Sequence, residues 1–280
     1  MMFAKFLFFY FLRIVFATCL LSPKNFISKS STCFNVQNSY QDFSKIVGEK
    51  KIIAISPGGY HGFYMMGISN YIKENYDLSN YLFTGASAGA WNALFMTYKG
   101  DSTELALRLL SNEIIHKTNI KEIIANLKKE ILFSYKDNDF DISKLFIGIT
   151  NLNDYYMPVV NIYSEFENLE DAIDCCIASS HIPFITGNFI HKYNKFLSFD
   201  GQFSSYPYPY LENKAKDVFY ITPSMWEKSK SLAFFDDIHH YANMIKKGKT
   251  FDLSMMYDKG YYDSKKNKDK LDLSFLGKNL

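Results

Sequence analysis

A layered α/β domain with a mostly parallel sheet is the fold class that this 280-residue sequence predicts. Short apolar runs, each ending at a turn, alternate with segments whose apolar residues recur at helical spacing. Two of those runs end in glycine-rich stretches that open directly into helices: Pro57-Gly58-Gly59-Tyr60-His61-Gly62 and Gly85-Ala86-Ser87-Ala88-Gly89. A 48% hydrophobic share over this length supplies a sizeable core and excludes wholesale disorder. The 31 Lys and Arg nearly balance the 29 Asp and Glu, so nucleic acid is not an expected partner. Four cysteines without a CxxC pair give neither a disulfide framework nor zinc ligands at the usual spacing.

Residues 1–41 break the alternation. They contain no Asp or Glu, four cations (Lys5, Arg13, Lys24, Lys29) and two apolar runs, Phe6 to Leu12 and Ile14 to Leu21, followed by the Ser-rich stretch Ser28 to Thr32. Such a start reads as a secretory signal, a signal anchor or an organelle transit segment. The apolar span falls short of the ~20 residues that cross a bilayer, and Arg13 sits inside it. The expectation is a targeting or membrane-associated segment over 1–41 and one folded domain over 42–280.

The elements of that domain follow in order. Lys50 to Ser56 reads as a buried strand, Phe63 to Lys73 as a helix, and Tyr81 to Thr84 as a second strand. Ala88 to Tyr98 is a helix of small and apolar residues, suited to lie on a sheet. Gly100-Asp101-Ser102 interrupts it, and Ser102 is placed to cap a helix over Thr103 to Lys117. Asn119 to Leu132 continues helical, with Ile120, Ile123, Ile124 and Leu127 on one stripe. Lys144 to Thr150 and Val159 to Ser164 read as strands, and Leu169 to Ser179 as a helix stopped before Pro183. Ile190 to Tyr193 and Lys195 to Phe199 form a hairpin over Asn194. A strand over Val218 to Thr222 and a helix over Ala233 to Lys247 come next. The lysine-rich stretch Lys265 to Lys270 reads as a solvated, frayed end.

Three stretches carry chemistry. Gly85 to Gly89 is G-x-S-x-G between a strand and a helix, the context of a nucleophile elbow. Its small neighbours permit a tight turn that projects Ser87 at a helix start, where unpaired N–H groups favour developing negative charge. The Pro57 to Gly62 loop has Pro57 where a dinucleotide fingerprint needs glycine, and Asp77 lies in a polar loop rather than at a strand end. Bare backbone N–H groups at a helix start then serve best as an oxyanion hole. Asp200-Gly201 ends a strand, where a carboxylate can approach another site closely; an ordinary Asp-Gly turn has the same letters. Phe63, Tyr64, Met65, Met66, Trp91, Phe95 and Met96 are candidates to line a cavity, though most of them also suit a core.

The order Gly-rich loop, GASAG elbow, Ala178-Ser179-Ser180-His181-Ile182-Pro183-Phe184 and Asp200-Gly201 resembles the patatin-like phospholipase family over about residues 50–225. The loop Gly58-Gly59-Tyr60-His61-Gly62-Phe63-Tyr64 is most similar to the adiponutrin and adipose triglyceride lipase branch. The resemblance implies a three-layer patatin-like fold and a lipid acyl hydrolase that cleaves carboxylic esters of phospholipids or acylglycerols. It implies Ser87 as nucleophile, Asp200 as its proton acceptor, and Gly58, Gly59 and Tyr60 as the oxyanion hole. Gly62, Gly85, Gly89 and Gly201 complete the motifs. No metal or cofactor is implied; the implied partners are a lipid substrate and a membrane or lipid-droplet surface. Three positions depart from the family pattern: Pro57 replaces a glycine, His61 stands where Arg or Lys is common, and Gln202 follows Gly201 where glycine or alanine is usual.

Two other readings use the same residues. An α/β-hydrolase triad would take Ser87, then Asp200 or Asp236–Asp237, then His239 or His240. A non-catalytic lipid-binding protein of the same fold would follow if Pro57 spoiled the oxyanion hole.

Overall fold

A computed structural model of the chain describes residues 33–35, 50–115, 119–153, 158–203, 217–226 and 252–277. The described strands form one sheet: β1 (Cys33–Asn35), β2 (Lys51–Ile55), β3 (Tyr81–Ala86), β4 (Leu145–Leu152), β5 (Pro158–Tyr163), β6 (Lys192–Tyr193), β7 (Phe196–Phe199) and β8 (Val218–Ile221). Its main order is β1-β5-β4-β3-β2-β8. The central strands β8, β2, β3 and β4 run parallel, while β5 and β1 extend the sheet antiparallel beyond β4. The described helices are α1 (Gly62–Asn75), α2 (Ala88–Thr97), α3 (Ser102–Leu109), α4 (Asn112–Ile115), α5 (Ile120–Ser134), α6 (Leu169–Ser179), α7 (Leu253–Lys266) and α8 (Lys268–Leu276). The fold is thus α/β, with a mixed, mostly parallel central sheet and flanking helices. No described helix is long and apolar enough to cross a membrane.

Chain length between elements explains the strand directions. The parallel neighbours β2 and β3 are joined through the whole of α1, a crossover long enough to return the chain to the same end of the sheet. Residues 153–157 between β4 and β5 are too few for a crossover, so that pair is antiparallel. The β6–β7 hairpin turns at Asn194 and Lys195, with φ of 46° and 72°; positive φ at both positions suits a two-residue hairpin loop. In the central strands Ile53, Ile55, Phe83, Leu145 and Ile147 join the buried cluster that includes Met65, Ile68 and Leu94. The alternate residues Ile52, Ala54, Leu82 and Phe146 are buried as well. Burial on both faces is why these strands read as continuous apolar runs.

Several expectations need correction. Asp101, not Ser102, caps α3: its carboxylate accepts from the backbone N–H of Thr103 and Glu104. The helix expected to continue to Lys117 stops at Leu109, and α4 follows as a separate turn. Cys33–Asn35, expected within a targeting segment outside the domain, pairs along the edge of β5. The expected helix over Ala233 to Lys247 lies outside the described residues, as does the rest of 1–41.

The largest correction concerns the lysine-rich end. Lys265 to Lys270 are solvated as expected, yet they sit on helices packed into the molecule rather than on a frayed tail. The flanking residues Ser264 and Leu271 are fully buried. Helix α7 crosses α1 at a backbone-to-backbone contact: a Cβ on Gly67 would lie 2.0 Å from the Tyr257 carbonyl oxygen, and one on Gly260 would lie 1.9 Å from that of Tyr64. Tyr64 donates its hydroxyl to Asp263 (2.8 Å), and Tyr76 donates to Asp272 (2.8 Å) while stacking on Phe275.

Candidate active site

The sheet register brings the two candidate catalytic residues together. Along one edge of β4, β3 pairs only as far as Ala86 opposite Gly148, because the chain turns out of the sheet at Ser87. The freed edge beyond is taken by β7, which runs the other way and ends with Phe199 opposite Thr150. Strands β3 and β7 therefore meet end to end along β4, and the residues that follow them, Ser87 and Asp200, face each other.

The elbow is as tight as its letters imply. Ser87 has φ 54° and ψ −126°, a backbone conformation that residues with a side chain rarely adopt. A Cβ on Gly85 would lie 2.1 Å from the Gly89 carbonyl oxygen, and one on Gly89 would lie 2.1 Å from that of Ile55. Only glycine lets α2 start so close to β2 and β3. The hydroxyl of Ser179 braces the turn, accepting from the Ser87 N–H (2.8 Å) and donating to the Gly148 carbonyl (2.7 Å).

The Ser87 hydroxyl donates to Asp200 Oδ2 at 2.6 Å, and both residues are buried. Asp200 is held from all sides. Its other carboxylate oxygen accepts from the Gln202 N–H (2.9 Å), its N–H donates to the His181 carbonyl (2.8 Å), and its carbonyl accepts from the Thr150 hydroxyl (2.8 Å). Burial raises the Asp200 pKa to about 6, against the lowering effect of the Ser87 and Gln202 hydrogen bonds. The Gln202 contact is made by the backbone, so glutamine at that position costs the carboxylate nothing.

The glycine-rich loop lies beside this pair as a single 3-10 turn, Gly59–His61. Gly59, at φ 51°, is exposed and lines the cavity that opens at Ser87 and Asp200. Gly58 backs onto Met65 and Pro223, and the Tyr60 side chain is buried in the core. Gly62 sits against Ala88, and Gly201 against Gly148 and Ala86, so both motif glycines mark close backbone contacts.

From Ser87 an apolar cavity of about 130 Å³ runs between α1, α2, α3 and α5. Phe63, Met66, Trp91 and Phe95 line it, whereas Tyr64, Met65 and Met96 belong to the core. Its far wall was not singled out from sequence: Leu105 and Leu109 of α3, Ile131 of α5, and Phe140. The stripe Ile120, Ile123, Ile124 and Leu127 also faces it. Ser179 and Thr150, which position Ser87 and Asp200, were not assigned that role either; the only sequence signal was the place of Ser179 in the A-S-S-x-x-P stretch.

His181 meets Asp200 through its backbone carbonyl. Its ring is buried beside that of His191, and burial, followed by the neighbouring His191, lowers its pKa to about 4. The triad candidates Asp236, Asp237, His239 and His240 lie outside the described residues. Among the described residues no three His, Cys, Asp or Glu side chains gather closely enough to hold a metal ion. The chain matches no protein-family model, and no curated protein matches it.

Proposed function

We propose that this chain is a serine lipid acyl hydrolase of the patatin-like type, acting through a Ser87–Asp200 dyad. The observation that carries the reading is the buried 2.6 Å hydrogen bond from Ser87 to Asp200 at the head of an apolar cavity. A polar reaction centre that opens into an alkyl-lined space suits an ester with a long acyl chain.

In this mechanism Asp200 takes the hydroxyl proton as Ser87 Oγ attacks the acyl carbonyl. The tetrahedral oxyanion is stabilised by backbone N–H groups of the glycine-rich loop, of which Gly59 lines the cavity, and by the positive end of α2. The Ser87 N–H is already given to Ser179 and takes no part. Collapse expels the alcohol, which leaves with the proton held by Asp200. Water then attacks the acyl-enzyme and gives a proton to Asp200; collapse releases the fatty acid as Asp200 passes that proton to the departing Ser87 oxygen, which restores the hydroxyl. A carboxylate is a weak base toward serine, and burial improves it by raising its pKa to about 6.

Ser87→Ala tests this reading. The variant should fold and lose at least about a thousandfold in turnover of a short-chain nitrophenyl ester. Retention of a tenth of the wild-type rate or more would remove Ser87 as the nucleophile.

A further inference from the structure

The loop between α6 and β6 carries an apolar surface beside the cavity mouth. Phe184, Ile185, Phe189 and Ile190 are 43–58% exposed, and the Phe184 and Phe189 rings stack on each other at 5.2 Å. The loop is built to hold them outward. The Thr186 hydroxyl accepts from the Ile182 N–H (2.7 Å) and donates to the Ser180 carbonyl (2.6 Å), while the Ile185 and Thr186 N–H groups both return to the Ile182 carbonyl. Phe184 is fixed at φ 65°, a conformation costly for a large side chain. Neither the strain nor the exposure serves core packing, and clustered exposed aromatics mark interaction surfaces.

Two observations identify the occupant. The surface is continuous with the cavity, because Ser180, Ile182 and Thr186 of the same loop line it. The nearby charge also leans basic: from Cys175 to Phe199 the sequence has no Asp or Glu, Lys192 and Lys195 stand exposed in the hairpin that follows, and the acids that reach this region from α6 are engaged, Asp174 with Lys128 (2.6 Å) and Asp171 with the Tyr193 hydroxyl (2.9 Å). Lys121 of α5 reaches the loop at Asn188 (3.1 Å), and its acidic neighbour Glu122 is tied to Asn119. An apolar tip with lysines at its flanks matches acyl chains beneath anionic headgroups.

We infer that Phe184, Ile185, Phe189 and Ile190 insert into an anionic phospholipid surface, with Lys121, Lys192 and Lys195 at its headgroups, and so place the cavity mouth against the bilayer. The inference rests on the hydrolase reading for its purpose, delivery of an ester to Ser87. It does not need turnover to be observed.

The test uses the full chain carrying Phe189→Trp, with the unmodified chain as the tryptophan background. Vesicles of phosphatidylcholine and phosphatidylserine should shift the added emission to the blue, and lipids brominated on their upper chain should quench it. Vesicles of phosphatidylcholine alone, or Lys192→Gln with Lys195→Gln, should raise the lipid concentration for half-maximal signal by about fivefold or more at low salt. In a second arm, Phe184→Ser with Phe189→Ser should keep soluble-ester turnover within about twofold and lower vesicle turnover about tenfold. The proposal is overturned by absence of quenching above background, whether the chain binds vesicles through another part or the loop serves a protein partner. Quenching indifferent to lipid charge, or equal loss on both substrates, also overturns it. Quenching that persists when Phe189→Trp is combined with Ser87→Ala supports docking by itself. A chain that is quenched but hydrolyses nothing keeps the docking surface and removes the hydrolase reading.

Discussion

The elbow at Ser87 and the crossing of α1 with α7 both depend on pairs of glycines that let one backbone touch another, but they put the contact to opposite uses. The elbow carries cost. Ser87 is held in a conformation worth on the order of 1–3 kcal/mol of strain. Asp200 is buried where its charge is disfavoured. The crossing carries no positive-φ residue and gathers favourable contacts: Tyr64 with Asp263, Tyr257 with Asn70, and Leu271 fully buried on the following helix. One region is shaped against stability, and the other supplies stability from a distant part of the chain.

Asp200→Asn breaks the comparison most sharply, because it should move activity and stability in opposite directions. The amide cannot accept the Ser87 proton, so ester turnover should fall by about a thousandfold or more. Stability should rise. The folded-state pKa of Asp200, about 6, lies above its ordinary value of 3.8, so the buried acid is free of penalty below about pH 4. That stability is lost as pH rises through about 6. Urea unfolding should therefore show the variant on the order of 2–3 kcal/mol more stable than wild type at pH 8, with the gap closing by pH 4. A variant less stable at pH 8 would mean that the carboxylate is not strained by burial.

Gly260→Ala should do the reverse. Its methyl would press on the Tyr64 carbonyl, so unfolding should cost about 2–4 kcal/mol less, while turnover per folded molecule stays within about twofold. Leu271→Ala sharpens the same point: about 3 kcal/mol should be lost if the C-terminal helices belong to the core, and under ~0.5 kcal/mol if that end is frayed. The smallest effect belongs to Ser179→Ala, which strands the Ser87 N–H and the Gly148 carbonyl. About a tenfold slower turnover and a loss of about 1–2 kcal/mol in stability are the expected result. Turnover equal to wild type would show that the elbow holds without its brace.

The same contrast explains what could be read from sequence. The strand–helix alternation from Lys50 to Ser179 is legible because buried parallel strands are continuous apolar runs and their helices carry apolar stripes. The elbow announces itself within five residues, since the turn, the candidate nucleophile Ser87 and the close packing fall on one short segment. Nothing comparable marks Gly67 and Gly260, which meet from opposite ends of the domain. Helix α7 is rich in lysine and tyrosine and α8 in lysine and aspartate, so their buried face is narrow and their charged face dominates the composition. The meeting of β3 with β7 along β4 is equally hidden, because one strand pairing two partners on a single edge is a matter of register that no local pattern encodes. The cavity's far wall shows the intermediate case: the stripe on α5 was visible as apolar, but whether it faces core or cavity depends on α3 and Phe140 across from it.

The central claim is that Ser87 is a nucleophile whose proton goes to Asp200. Reaction of the full chain with a long-chain alkyl fluorophosphonate, followed by peptide mass mapping, tests it most directly. The adduct should form on Ser87 alone. Its rate should rise with pH and level off above about 6 as Asp200 ionises, and it should drop by at least about a thousandfold in Asp200→Asn. An adduct on another residue, or a rate indifferent to Asp200→Asn, would contradict the dyad.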